Sequence, residues 1–554
     1  MNGSPLQSAD RPGARALGWV DARAAFWLIA AVAVARIVFL VAAVPFELAA
    51  DEAHYWEWSR RLDWSYYSKG PGVAWSIAAA TALFGDLTWA VRVPSVLFAA
   101  VAMVALWRLG TISTGGDHRA GFVAAACYAL APGYQVTSLM MTIDGPFLAC
   151  WILAVWAAWH VLSRWTSGRS ATGPLLMVAA ALGAGFLFKY TILLLIPGLL
   201  VFAILWRKRL RIPRHDWAML AVAVGLFALL SSPVMIWNAR HDWPTVRHLL
   251  GALQLPGGDQ PPPTEPGPAY SPLWTLELIG AQMGFLGPPL FVLVIIAVVG
   301  AMRRDRREAT DVLMVCAGAP VLIFYLLVTF THAAQGNWPI AGWISLLVVV
   351  GRYGVVELNR YATKVRDWLA LPPANRPKAG WMRRKPETLF QVGWHWTIGL
   401  GIATAAGLVL VVVAAAIWPT LTEHKPLKRV MGHRAAAAAV HQHRQALAER
   451  TGVEPIIITD RYQPAGLLAF YLPDQPRTWC AHHHFGGRKT QYDYFADTDL
   501  DDAELRGRPA LLIGARPGRW EEILPLVEVE RLDAATHTPA DKWGPLHAGW
   551  YAVE

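Results

Sequence analysis

The chain has 554 residues, of which 55% are hydrophobic and 16% charged, with a formal net charge of +10. Soluble globular domains carry about 25% charged residues, so the composition excludes an ordinary soluble enzyme and points to the bilayer. The basic residues lie mostly in short loops between apolar runs rather than on one aromatic-rich face, which excludes a nucleic-acid partner.

The first apolar run, 22–46, is too long for a secretory signal and has no small-residue cleavage site before the next polar motif. It reads as a first membrane span. Arg36 within it is expected to pair with a carboxylate in the bundle. Further apolar runs at 93–110, 119–132, 144–162, 174–188, 190–206, 216–236, 284–301, 312–330, 338–352 and 396–418 make about eleven candidate spans, up to thirteen if two more are hidden. The 28 Trp fit a chain with many bilayer interfaces.

Orientation follows from charge. The loops 207–214 (RKRLRIPR), 302–311 (MRRDRREATD) and 351–394 are basic and are expected in the cytoplasm. The Pro/Gly-rich loop 237–283 has little basic excess and is expected outside. An odd number of spans then puts the N-terminus inside and the C-terminal region outside. The apolar stretch 73–84 would invert every later loop if it spanned, so it reads as an outer juxtamembrane or re-entrant helix.

From 421 onward the composition changes. Short apolar runs at 455–459, 510–514 and 526–529 alternate with helical stretches at 466–472 and 520–524. The expected architecture is therefore an all-α polytopic membrane domain, 1–420, with outer juxtamembrane helices, and a small α/β extracytoplasmic domain, 421–554.

Ionisable residues in or beside spans are functional candidates because burying them is costly. The topology gathers Asp51, Glu52, Lys69, Arg92, Asp144 and Lys189 on the outer side, with His332, Asn337 and Trp338 in a short outer loop. Carboxylates can take a proton from a hydroxyl or amine. Lys and Arg can hold a phosphate. Each residue also has a plain reading, as a solvated pair, a snorkelling cation or a helix cap. Three of the four Cys lie in apolar segments and Cys480 stands alone, so no disulfide framework is expected. His482–His484 beside Cys480 is a weak zinc pattern without a second ligand cluster. No cofactor is otherwise required, and a divalent metal ion stays an open option.

The stretch 50–75, ADEAHYWEWSRRLDWSYYSKGPGVAW, resembles the first outer loop of the polyprenyl-phosphate-dependent membrane glycosyltransferases of the C-type fold. These include the dolichyl-phosphate-mannose–protein mannosyltransferases and the aminoarabinose transferases of lipid A. AVRVPSVL (90–97), TIDGPF (142–147), residues 188–190, PVMIWNARHDW (233–243), GNWP (336–339), residues 470–473 and RKTQYDY (488–494) are similar to the bacterial members.

The resemblance implies an inverting glycosyl transfer from a polyprenyl monophosphate at the outer face of the bacterial inner membrane. It implies Asp51 as base with Glu52 beside it, Asp144 as a second acid, and Lys69, Arg92 and Lys189 at the donor phosphate. Tyr55, Tyr67, His332, Asn337 and Trp338 are the expected substrate contacts. Partners would be the lipid-linked donor, membrane lipids, and a glycolipid, lipid A-like, polysaccharide or protein acceptor. The sequence has Lys-Gly-Pro where the family has Lys-Pro-Pro, which leaves the geometry around Lys69 in question. A transporter or flippase of a lipid-linked sugar is the alternative. Under the enzyme reading, removal of 421–554 is expected to change acceptor choice and to spare donor hydrolysis.

Overall fold

In this computed structural model, the described residues are 16–43, 46–259, 270–303, 307–376, 385–418, 420–421, 427–532 and 542–552. Helix α1, Ala22–Ala42, starts at Asp21, whose side chain accepts the Ala24 N–H at 2.8 Å. Two shorter helices follow, α2 (Ala50–Ser59) and α3 (Gly72–Phe84). At 13 residues, α3 is too short to cross a bilayer.

The bundle continues with α4 (Thr88–Ile112), α5 (His118–Leu130), α6 (Pro132–Thr137), α7 (Asp144–Thr166), α8 (Thr172–Phe186) and α9 (Leu195–Trp206). After these come α10 (Arg214–Arg240), α11 (Pro244–Ala252), α12 (Pro272–Leu286), α13 (Pro288–Ala301), α14 (Ala309–Val328), α15 (Ile340–Ala370) and α16 (Pro386–Ile417). A 99° bend separates α12 from α13. Its cause is local: Gly287 sits at φ +80°, and Pro288 supplies no backbone N–H.

Among the described residues, seven helices are long and apolar enough to cross a membrane, or eight if the bent pair is one span. Ten of the eleven runs read from the sequence fall mainly on one helix, and 284–301 crosses the bend between α12 and α13. However, 119–132, 174–188 and 190–206 fall on helices of 13, 15 and 12 residues, below the usual spanning length. The short α5 is rich in Ala and Gly and packs between α4 and α15, so it is buried inside the bundle. Lipid-facing rows instead expose large apolar side chains, such as Val34, Val38 and Val41 on α1 or Val224 and Leu229 on α10. Arg36 is buried, but no described carboxylate lies within ion-pair distance. Its electrostatic neighbour is Tyr128, so the expected carboxylate pairing is not found.

The C-terminal part contains α17 (His433–Thr451), β1 (Ile456–Thr459), α18 (Tyr462–Tyr471), β2 (Thr478–Cys480), β3 (Pro509–Ile513), α19 (Pro517–Glu521), β4 (Leu526–Arg531) and β5 (Leu546–Tyr551). The sheet order is β2-β1-β3-β5-β4. Strand β1 pairs in parallel with β2 and β3, and β5 pairs antiparallel with β3 and β4. Both faces of β1 and β3 are buried, which is why their sequences, IIIT and PALLI, are nearly unbroken apolar runs. All four Cys are free and buried.

This part is docked on α2. The Leu48 N–H donates to the Tyr471 hydroxyl at 2.7 Å, and the Glu47 N–H donates to the Val430 carbonyl at 2.8 Å. The Glu47 carboxylate accepts the N–H groups of His433 and Arg434 at the start of α17. It satisfies two of the orphan donors that every helix N-terminus carries. Trp56 and Phe470 meet edge to face at 4.9 Å. Helix α18 therefore stands directly beside the face of α2 that begins with Asp51.

Candidate functional site

Helix α2 has two opposed polar faces. Asp51, His54, Tyr55 and Trp58 follow the i, i+3, i+4, i+7 spacing of one helical face and line a cavity of about 760 Å³. That is the size of a small-molecule or lipid-headgroup site. Glu52 points the other way and is fully buried. One oxygen of Glu52 takes Arg92 Nε at 2.8 Å and the Met141 N–H at 2.8 Å. The other takes Arg92 Nη2 at 2.6 Å and the Ala49 N–H at 2.9 Å. Arg92 also donates to the carbonyls of Phe46 and Glu47 and lies over the Phe46 ring. Glu52 and Arg92, expected at the reaction centre, are thus consumed by each other behind the cavity. They fix α2 to α4 and to the loop before α7.

The remaining expected residues converge. Lys69, Asp144, Lys189, Tyr67, His332, Asn337 and Trp338 line the cavity together with Asp51 and Tyr55. Asp144 is the first residue of α7, where the positive end of the helix dipole favours its charge. It accepts Lys189 Nζ at 2.7 Å and Asn337 Nδ2 at 2.9 Å. Lys189 is therefore partnered, whereas no described carboxylate lies within ion-pair distance of Lys69.

Gly70 explains how the two lysine loops come together. A Cβ at Gly70 would sit on the Leu187 carbonyl oxygen, and the Gly72 N–H donates to that oxygen at 3.0 Å. The Lys-Gly-Pro departure thus permits a close backbone approach two residues before Lys189. A proline at 70 would block it.

The C-terminal part completes the cavity with residues not expected there from the sequence. Tyr462 on α18 donates its hydroxyl to Asp51 Oδ1 at 3.2 Å. Arg488 and Gln491, from the segment after β2, also line it. The Gln491 side-chain oxygen accepts the Tyr67 N–H at 2.6 Å and so clips this segment to the Lys69 loop. His54 was one helical step from Asp51 and could have been found from the spacing. Arg488 lies in the RKTQYDY motif, but Tyr462 has no sequence signal. Around the His482–His484 run, as elsewhere among the described residues, no group of three or more His, Cys, Asp or Glu is arranged to hold an ion.

The electrostatics suit an anionic guest. Asp51 opens to the cavity, but protein crowds its other sides. This burial raises its carboxyl pKa, against the Tyr462 hydrogen bond and the charge of Lys69. Burial lowers Lys69 to about 8, with Lys189 and Arg488 adding to the effect. Burial lowers His54 to about 3, so its imidazole is neutral. His54 Nε2 accepts the Trp58 indole N–H at 3.2 Å, which leaves the proton on Nδ1.

The fold, with such a cavity at the head of a helical bundle, is similar to that of two solved structures of ArnT. ArnT from Cupriavidus metallidurans matches over 96% of this chain and 99% of its own, with a TM-score of 0.61 at 14% identity. Its structure bound to undecaprenyl phosphate matches over 95% and 98%, with a TM-score of 0.60 at 15% identity. The family described as dolichyl-phosphate-mannose-protein mannosyltransferase matches residues 68–237. The lipid A galacturonosyltransferase RgtD of Rhizobium johnstonii is 30% identical over 302 residues, 53% of this chain and 58% of the relative. The undecaprenyl phosphate-alpha-4-amino-4-deoxy-L-arabinose arabinosyl transferase of Serratia proteamaculans is 22% identical over 171 residues, 29% of this chain and 30% of the relative. The chain thus spans little more than half the length of the galacturonosyltransferase and under a third of the arabinosyl transferase. The resemblance read from the first outer loop is borne out.

Proposed function

We propose that this chain moves a sugar from a polyprenyl-phosphate donor to an acceptor hydroxyl at the outer face of the bacterial inner membrane, with inversion at the anomeric carbon. The observation that carries the reading is one cavity that holds both Asp51 and Lys69, neither of which has an ion-pair partner among the described residues. The acceptor oxygen attacks the anomeric carbon while its proton passes to Asp51. The bond from that carbon to the phosphate oxygen breaks, and the electron pair leaves with the polyprenyl phosphate, which goes from one negative charge to two. Lys69 meets that developing charge. An electrostatic contact of this kind contributes about 2.7–4 kcal/mol to a transition state. The step balances without a cofactor.

Asp144, held by Lys189 and Asn337, shapes the donor side of the cavity. Tyr55, Tyr67, His332 and Trp338 are the substrate walls. The described residues of the C-terminal part, 427–532 and 542–552, form an extracytoplasmic unit that closes the site. Among acceptor classes, a lipid A-like glycolipid is favoured by the name of one relative, the lipid A galacturonosyltransferase. The test is reconstitution of the protein in liposomes with a synthetic polyprenyl-phosphate sugar and lipid A, followed by mass spectrometry. One added sugar on the acceptor, with release of polyprenyl phosphate, is the expected result. Donor movement between leaflets without any bond cleavage would mean that the chain transports its ligand instead.

A further inference from the structure

The cavity holds more cationic groups than its own carboxylates neutralise. Asp144 takes Lys189. Asp51 is hydrogen-bonded to Tyr462. Lys69 and Arg488 face the same space, and no described carboxylate lies within ion-pair distance of either.

Arg488 has the Tyr67 hydroxyl as one side-chain partner and hydrogen-bonds from Nη1 to His248 Nδ1 at 3.0 Å. That nitrogen also lies 3.2 Å from Asp259 Oδ2. It cannot accept from Arg488 and donate to Asp259 at the same moment. When His248 turns its proton to Asp259, the guanidinium loses that acceptor, and its donors not held by Tyr67 can engage a guest. The backbone already aims it: the Gln491–Tyr67 clip holds the Arg488 segment against the Lys69 loop, and the guanidinium stands 5.8 Å over the Tyr67 ring.

We propose that Arg488 is the second cation on the departing phosphate, so that the segment after β2 supplies part of the donor site. This rests on the transfer reading above. As the anomeric carbon–oxygen bond breaks, the phosphate gains a second negative charge, and Lys69 and Arg488 together match the two. The guanidinium fork engages two phosphate oxygens, which a lysine cannot do.

The experiment uses the full-length protein in nanodiscs and compares wild type with Arg488→Gln, Arg488→Lys and Lys69→Gln. Binding is measured for polyprenyl monophosphate, the dianionic product, and for its sugar-linked monoanionic form, alongside kcat and KM for transfer. Arg488→Gln is expected to weaken the monophosphate about 10- to 100-fold, to weaken the sugar-linked form less, and to lower kcat. Arg488→Lys is expected to recover part of each loss. If Arg488→Gln binds both lipids like wild type while Lys69→Gln loses them, Arg488 has no part in the donor site and the transfer reading stands. If only the acceptor KM changes, the assignment to phosphate is overturned. If wild type binds neither lipid and transfers nothing, the transfer reading falls and takes this proposal with it.

Discussion

Glu52 and Arg92 offer a sharp test, because a reaction-centre role and a buried structural role predict different outcomes. Both side chains are at most 1% exposed. The carboxylate accepts four N–H donors between 2.6 and 2.9 Å, and no oxygen is left for a substrate. In Glu52→Gln, one oxygen becomes an NH2 group that must face two of those donors, while Arg92 stays buried without its counter-charge. Removing one partner of such a pair costs about 3–5 kcal/mol. Arg92→Met should cost at least as much, since the Phe46 and Glu47 carbonyls also lose their donor. The double variant should cost less than the sum of the two, because neither charge is then stranded. The assay is thermal unfolding in detergent, followed by size-exclusion fluorescence, with transfer measured per folded molecule. Wild-type stability in a Glu52→Gln variant that still loses transfer would overturn the structural role, since Glu52 would then act in the reaction itself.

Three further outcomes follow from the cavity. The free-enzyme pH profile, read as kcat/KM, should be bell-shaped. Its acid limb lies above the ordinary carboxyl range, because Asp51 must lose its proton to act as base. Its alkaline limb lies near the value of about 8 to which burial lowers Lys69. Phosphate favours protonated Lys69, so donor affinity is present below that value and lost above it. Lys69→Arg should remove the alkaline limb, and an unchanged limb would point to another group. Tyr462→Phe removes the hydrogen bond that steadies ionised Asp51, so the acid limb should move to higher pH. An unshifted limb would mean that Tyr462 does not bear on the base. Gly70→Pro, which restores the family's Lys-Pro-Pro, should destabilise the fold by about 1–3 kcal/mol through overpacking against Leu187. It should also lower transfer disproportionately by parting Lys69 from Lys189. Wild-type transfer by that variant would show that the close approach is dispensable.

Much of this arrangement could be read from the chain because membrane spans announce themselves by composition. Charge in the loops sorted the polar residues onto one side, and nine of the eleven expected site residues do line one cavity. Glu52 and Arg92 stand apart from the other nine because the sequence pattern places both only near one end of the bundle. Their pairing spans 40 positions and depends on how α2 is rotated against α4. The role of Gly70 could not be read at all, since it depends on a carbonyl more than a hundred residues away. Tyr462 was hidden for the same reason: it reaches Asp51 across 411 positions, through the docking of α18 on α2. That docking also revises the expected effect of losing 421–554. Tyr462 and Arg488 are part of the cavity wall, so their loss should affect the transfer step itself as well as acceptor choice.

In the proposed reaction, Asp51 takes the acceptor proton while a polyprenyl phosphate leaves. The most direct measurement is single-turnover transfer by Asp51→Asn, with donor binding determined on the same preparation. Asp51→Asn should fold, bind donor about as well as wild type and transfer about 10²- to 10⁴-fold more slowly if Asp51 is the base. Undiminished transfer by that variant would contradict it.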